Sequence, residues 1–330
     1  MAQLTYRESV SLAIAQSMRK DPKVFFMGED VGAAGGVFKA TVGLLDEFGP
    51  ERVKDCPISE QAILGAAMGA AMTGLRPIAE IMFADFLAVC WDIIANQIAK
   101  TRYMSDGQIN IPLVIRTANG GGSKFGAQHS QSLENWSMAI PGLKVVAPSS
   151  PIDVLGLMAS SVQDPDPVIF YEHKSLYAMK EEVENTDIII PLGQANIMHE
   201  GSDIVLIGLG LMAQRAKKAA VILKEQFNVS ASVLDLRTLV PLDLQSIKRE
   251  VLKCGHVITV EENPRLCGWG AEISSLITEY CFDQLKGPVT RITTPHIPLP
   301  SADILEDNTI PSVDLIVETT LTKLEIKKEK

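Results

Sequence analysis

The sequence predicts an α/β protein of two domains, each a largely parallel sheet with helices on both faces, on three observations. Short β-branched and apolar runs alternate with segments of helical period from one end to the other. The alternation pauses once, in a linker of mixed charge around Pro191, Gly193 and Gly201, and then restarts. At 330 residues the chain also has about twice the length of an ordinary domain.

In order along the first half, strands are expected at 24–27, 77–82, 112–117, 144–147 and 168–171, with helices at 7–19, 61–75, 85–103 and 152–162. In the second half, strands are expected at 204–208, 231–236, 257–261 and 289–293. Helices are expected at 213–227, 242–253 and 271–285. A boundary near residue 190 gives domains of 1–190 and 191–330. The opening "MAQLTYRESVSLAIAQSMRK" carries polar residues through its apolar positions, so it reads as an amphipathic helix and not as a signal peptide. The longest uncharged run, 61–75, falls short of the roughly 20 residues that cross a bilayer. No membrane span is expected, and a cytoplasmic location is. The terminal charge run "LEIKKEK" is expected to be a solvated helix end.

With 46% apolar and 21% charged residues the chain can bury a core. Its net charge of -10 repels a phosphate backbone, so nucleic acid is not an expected partner. The five cysteines, Cys56, Cys90, Cys254, Cys267 and Cys281, form no CxxC pair, which predicts reduced, mostly buried thiols without a disulfide framework or zinc site.

Several polar signatures follow predicted strands directly, where open α/β sheets meet their ligands. "VFFMGED" brings Glu29 and Asp30, "AEIMFADF" brings Asp85 and Phe86, and "LVIRTANGGGSKFGAQHSQ" brings a Gly-rich loop and His129. Each alone also reads as a cap or a turn. In "DCPISEQAILGAAMGAAMTG", Glu60 heads an apolar helix in which Gly65 and Gly69 are spaced to let another backbone approach. Glu60 reads either as a first-turn acid complementing the helix dipole or as a carboxyl placed against a bound cofactor.

The segments "MGEDVG", "RVKDCPISEQAILGAAMGAAMTGLRPIAEIMFADF", "GAQHSQSLENWSMAIPGLKVVAPSSPIDVLGLM" and "LEDNTIPS" resemble the beta subunit of the thiamine-diphosphate-dependent first component of 2-oxo acid dehydrogenase complexes, the subunit shared by the pyruvate, branched-chain and acetoin enzymes. The likeness runs over essentially the whole chain in one order. It implies a transketolase-like pyrimidine-binding domain followed by a transketolase C-terminal-like domain. It also implies that Glu60 bonds the aminopyrimidine ring of thiamine diphosphate, promoting deprotonation of the thiazolium carbon. Ile58, Met82 and Phe86 match positions lining the pyrimidine, and Glu29 lies at a position near the same cofactor. His129 matches a histidine that orients or donates a proton during acyl transfer to a lipoyl group. Leu113, Ser161, Val162, Asp164 and Asp166 align with a structural potassium site. This chain has Asp166 where some relatives carry Asn, and Pro165 and Pro167 alter that loop.

The Gly-Asp-Gly…Asn motif that holds the magnesium diphosphate has no match here, and the resemblance assigns that half, magnesium included, to an alpha subunit in an alpha2beta2 heterotetramer. The same resemblance implies a lipoyl-bearing acyltransferase partner and activity only with the alpha subunit. On substrate the residues divide: "EHKSLYAM" and "VEENPRLCGWGAEIS" resemble acetoin-type subunits, "GEDVGAAGGVFKATVGL" pyruvate-type ones. Two other readings stand beside this one. Gly208, Gly210 and Ala213, with Asp235 ending the next predicted strand, approach the fingerprint of an NAD-dependent oxidoreductase. The third reading is a purely structural or docking subunit whose catalytic residues are vestigial; the presence of both Glu60 and His129 counts against it.

Overall fold

In the computed structural model, which describes residues 2–326, the chain divides into two compact units. The first runs to Gly120 and resumes over Trp136–Leu192; the second comprises Gly121–Asn135 and the chain from Gly193 on. A single cut near 190 therefore misses one exchange. The Gly-rich segment 121–135 belongs with the second unit because its polar groups are answered there. Gly121 N–H donates to Glu262 Oε1 at 2.6 Å, Ser132 Oγ donates to the same oxygen at 3.1 Å, and Asn263 Nδ2 donates to Ser132 O at 2.7 Å.

The first unit contains β1 (Ala2–Thr5), β2 (Val24–Gly28), β3 (Val53–Asp55), β4 (Arg76–Phe83), β5 (Val114–Asn119), β6 (Lys144–Val146), β7 (Val168–His173) and β8 (Lys180–Val183). Six of these strands run parallel in the order β6-β7-β5-β4-β2-β3. Their apolar runs are covered on both faces, as parallel sheets require, so β2, β5 and β7 are buried end to end. Helix Tyr6–Lys20 starts at a reciprocal cap: Glu8 N–H donates to Thr5 Oγ1 at 3.1 Å and Thr5 N–H to Glu8 Oε2 at 2.7 Å. It packs on helix Pro151–Gln163, which Ser150 caps and Pro151 opens. β1 and β8 form an antiparallel ribbon that the alternating pattern does not announce.

The stretch 85–103, expected as one α-helix, is three windings: a 3-10 turn Ala84–Cys90, a π turn Ile93–Ile98 and a short α turn Thr101–Met104. The tight first winding turns Ala84, Asp85, Leu87 and Cys90 inward and leaves Phe86 half-buried. The wider second one seats Ile94, Ala95 and Ile98 in the core.

The second unit contains β9 (Asn196–His199), β10 (Ile204–Gly208), β11 (Ala231–Asp235), β12 (Thr238–Val240), β13 (Val257–Pro264) and β14 (Thr290–Thr294). Its five-stranded sheet runs β14-β13-β10-β11-β9, parallel except for the edge strand β9. Helices Leu211–Phe227 and Val313–Lys323 pack together over a core that includes Ile204, Leu206, Val233, Ile258, Val260 and Ile316. The last helix ends at Lys323, and residues 327–330 of the terminal charge run lie outside the described residues. No helix among the described residues is long and apolar enough to cross a membrane. Cys90, Cys254 and Cys281 are buried, Cys56 is half-buried and Cys267 exposed; all five are free thiols.

Candidate functional site

Five sequence-predicted residues leave the sheet of the first unit at the carboxyl ends of three neighbouring strands. Glu29 follows β2 directly, Ile58 and Glu60 follow β3, and Met82 and Phe86 lie at and just beyond the end of β4. Because β2 lies between β4 and β3, the fold gathers side chains spread from 29 to 86 in the sequence. Asp55, at the end of β3, ties it to the loop after β2, accepting Gly32 N–H at 2.7 Å and Ala33 N–H at 3.3 Å. Gly28 is obligatory there: a Cβ would come within 2.8 Å of Glu80 Cβ and of Val31 Cγ1.

Glu60 is the first residue of helix Glu60–Met72 and stands at its positive end. Ser59 makes no side-chain cap, so Glu60 is the acid of the first turn. Glu60 is half-buried, and its field reaches two other groups. Burial raises the Glu29 carboxyl above its ordinary range, with Asp30 and Glu60 adding to the rise. Burial likewise pushes the Cys90 thiol up to about 12, Glu60 contributing. A register shift between Ile81 and Phe83 leaves Met82 out of the β4–β5 register, half-buried, before Phe83 pairs with Ala118. Phe86 meets Phe83 edge to face at 5.7 Å, and Phe83 meets Phe38 in the same way at 5.4 Å. Ile58 is 77% exposed in the chain alone. Gly69 also faces open space, and a Cβ on Gly65 would only touch Ile93 at 3.4 Å; among the described residues no backbone outside its own helix comes within 4 Å of a Cβ at either glycine.

His129 belongs to the second unit and is half-buried, its N–H donating to Gly126 O at 3.3 Å. Its loop is shaped by left-handed backbone at Gly122, Lys124 and Gly126 and anchored by Lys124 to Glu306 and Asp307.

At the expected potassium site, three of the five backbone carbonyls already accept hydrogen bonds and both carboxylates are paired with cationic side chains. Leu113 O accepts Val168 N–H at 2.9 Å, Ser161 O accepts Asp164 N–H at 3.3 Å and Val162 O accepts Arg76 Nη1 at 2.8 Å. Lys144 Nζ holds both oxygens of Asp164, and Arg102 holds Asp166. An added cation would compete with these two side chains for the carboxylates.

The dinucleotide fingerprint is also spent on packing. A Cβ on Gly208 would meet Ala213 backbone atoms at 2.7 Å, so this glycine seats helix Leu211–Phe227 on β10. Asp235 is fully buried and accepts Arg237 N–H at 3.1 Å, which directs its carboxylate into its own turn.

One group of residues escaped the sequence reading. Arg116 grips Glu172 by two bonds and pairs with Glu80, all three buried, and Tyr177 Oη donates to Glu172 Oε2 at 2.9 Å. Burial pushes Glu80 up to about 7, with Arg116 pulling down and Glu172 pushing up. The available signal was one charge inside the apolar run of each of three strands, "IAEIM", "LVIRT" and "IFYEH", which are neighbours β4, β5 and β7.

Comparison with known proteins agrees with this architecture. Residues 2–180 match the transketolase pyrimidine-binding domain and residues 193–316 the transketolase C-terminal domain. The chain is 45% identical to the acetoin:2,6-dichlorophenolindophenol oxidoreductase subunit beta of Bacillus subtilis, covering 97% of each chain. It is 43% identical to the 2-oxoisovalerate dehydrogenase subunit beta of the same organism, covering 93% of this chain and 94% of that one. It is 42% identical to the mitochondrial pyruvate dehydrogenase E1 component subunit beta-1 of Arabidopsis thaliana, covering 96% and 88%. A solved structure described as a split-gene transketolase in an inactive beta4 tetramer superimposes with a TM-score of 0.81 at 23% identity, covering 98% of this chain and 99% of that one; that likeness concerns the fold. Domain order, strand-end acids and relatedness along nearly the whole length converge: the chain belongs to the transketolase-like beta subunits of the thiamine-diphosphate-dependent first component of 2-oxo acid and acetoin dehydrogenases.

Proposed function

We propose that this chain supplies the pyrimidine half of a thiamine diphosphate site completed by an alpha subunit in an alpha2beta2 assembly, which hands an acyl unit to the lipoyl group of an acyltransferase. The observation that carries the reading is the convergence of Glu29, Ile58, Glu60, Met82 and Phe86 on three adjacent strand ends. This set fits an aminopyrimidine. An acid at a helix start can share a proton with a ring nitrogen, while Met82 and Phe86 offer apolar and aromatic surface beside it. The coenzyme, when bound, supplies the nucleophilic carbon that attacks a carbonyl. Glu60 holds a proton at the pyrimidine nitrogen, and Glu29 sets the local negative potential. Exposed Ile58 becomes a wall only when another chain covers it. His129 is assigned the proton that moves during transfer to the lipoyl group. Magnesium and the diphosphate fall to the alpha subunit.

The relatives named for acetoin, 2-oxoisovalerate and pyruvate are 42–45% identical, so identity leaves all three substrates open. The test is co-expression with the cognate alpha subunit, assay of each substrate with a dye acceptor, and titration of thiamine diphosphate by calorimetry. Glu60→Gln should lower turnover by about 10²-fold or more while the heterotetramer still forms. Turnover retained in that variant, or full activity of the solitary chain, would sink the proposal.

A further inference from the structure

The turn Asp164-Pro165-Asp166-Pro167 joins helix Pro151–Gln163 to β7. Its prolines have no N–H to offer, so the turn has only two backbone donors, Asp164 N–H and Asp166 N–H. Asp164 N–H donates to Ser160 O at 3.1 Å, and Asp166 N–H to Asp164 Oδ1 at 2.9 Å. Pro165 O accepts Ile111 N–H at 3.1 Å, and Pro167 O accepts Lys144 N–H at 2.9 Å. Two carboxylates are thus forced close together with little backbone to neutralise them. A cation close by offsets their repulsion.

Lys144 provides it. This first residue of β6 places Nζ 2.6 and 2.5 Å from the two oxygens of Asp164 and 3.6 Å from Asp166 Oδ2. Arg102, from the turn Thr101–Met104, pairs with Asp166 Oδ1. Two acids therefore face two bases. Ser161 Oγ donates to Leu157 O at 2.7 Å and points back along its helix, not into the turn.

We infer that the Lys144 ammonium is the resident cation of this turn, tethered through β6, so that the chain holds its Asp-Pro-Asp-Pro segment without an alkali metal. The ammonium remains in place at any external salt composition, whereas a bound ion would be lost by dilution. The inference is independent of the coenzyme chemistry.

It is tested by thermal unfolding of the full chain in potassium, sodium and choline chlorides at about 0.1 M, where general screening is equal. The three transitions should coincide; a rise specific to potassium would overturn the inference. Lys144→Met should lower the transition in all three salts, and adding Asp164→Asn should recover part of the loss, since the uncompensated acid is then gone. An unchanged transition in Lys144→Met would also overturn it. Because the salt comparison uses the unaltered chain, a variant that fails to fold leaves the test intact.

Discussion

Arg116 donates to both oxygens of Glu172, Nε to Oε1 at 2.7 Å and Nη2 to Oε2 at 2.5 Å, in a part of the sheet that water does not reach. Its remaining nitrogen serves Glu80. One guanidinium thus answers two buried carboxyls. Arg116→Met would leave both without a counter-charge and should cost about 3–5 kcal/mol of stability, measured by urea unfolding at pH 7 to 8.

The surplus carboxyl is Glu80, raised from an ordinary 4.5 to about 7. Between those values the folded chain keeps a proton that the unfolded chain has released. This contribution therefore makes stability fall as pH rises through the window, by about 3 kcal/mol in all, and level off above it. Glu80→Gln holds no such proton. Its unfolding free energy, compared with the unaltered chain from pH 5 to 8, should lack that downward component; parallel profiles would refute the assignment.

Two glycines should respond oppositely to alanine. Gly28→Ala forces a methyl against Glu80 and Val31 at 2.8 Å, and should cost about 1–3 kcal/mol. Gly69→Ala meets nothing within 4 Å in a helix interior and should stabilise the isolated chain by up to about 1 kcal/mol. Urea unfolding of both variants decides the contrast.

Phe86 is half-buried and makes an edge contact with Phe83. In the assembled enzyme, Phe86→Ala should weaken thiamine diphosphate by about 10-fold, and Phe86→Leu by less, as read by calorimetric titration.

The glycines at 208 and 210 call for a separate check. If Gly208 only seats a helix, NAD at about 1 mM should leave the thermal transition of the chain unmoved. Gly208→Ala, colliding with Ala213 backbone, should lower it strongly.

What the sequence disclosed follows from burial. β2, β5, β7 and β10 are buried throughout and read as unbroken apolar runs. β8, "KEEV", buries only Val183, and β9, "NIMH", is half-buried along its length, so neither carries a period. Glu29, Glu60 and Phe86 were legible because each stands just past an apolar run. Glu80, Arg116 and Glu172 were not, since their meaning depends on register: Glu80 pairs with Arg116, whereas Glu172 lies two positions beyond Phe170, the partner of Arg116. The lysine that answers Asp164 and Asp166 was hidden for the same reason, being distant in sequence from Arg102, which shares the task.

The exchange of segment 121–135 into the second unit bears on any attempt to build hybrids between related subunits. A recombinant spliced once near 190 would inherit the His129 loop from one parent and Glu262, Asn263 and Glu306, which tether it, from the other. Parents that differ at those contacts would yield offspring with a correctly seated sheet and a loosened histidine. Swapping 121–135 together with the chain from 193 onward keeps the tether within one lineage.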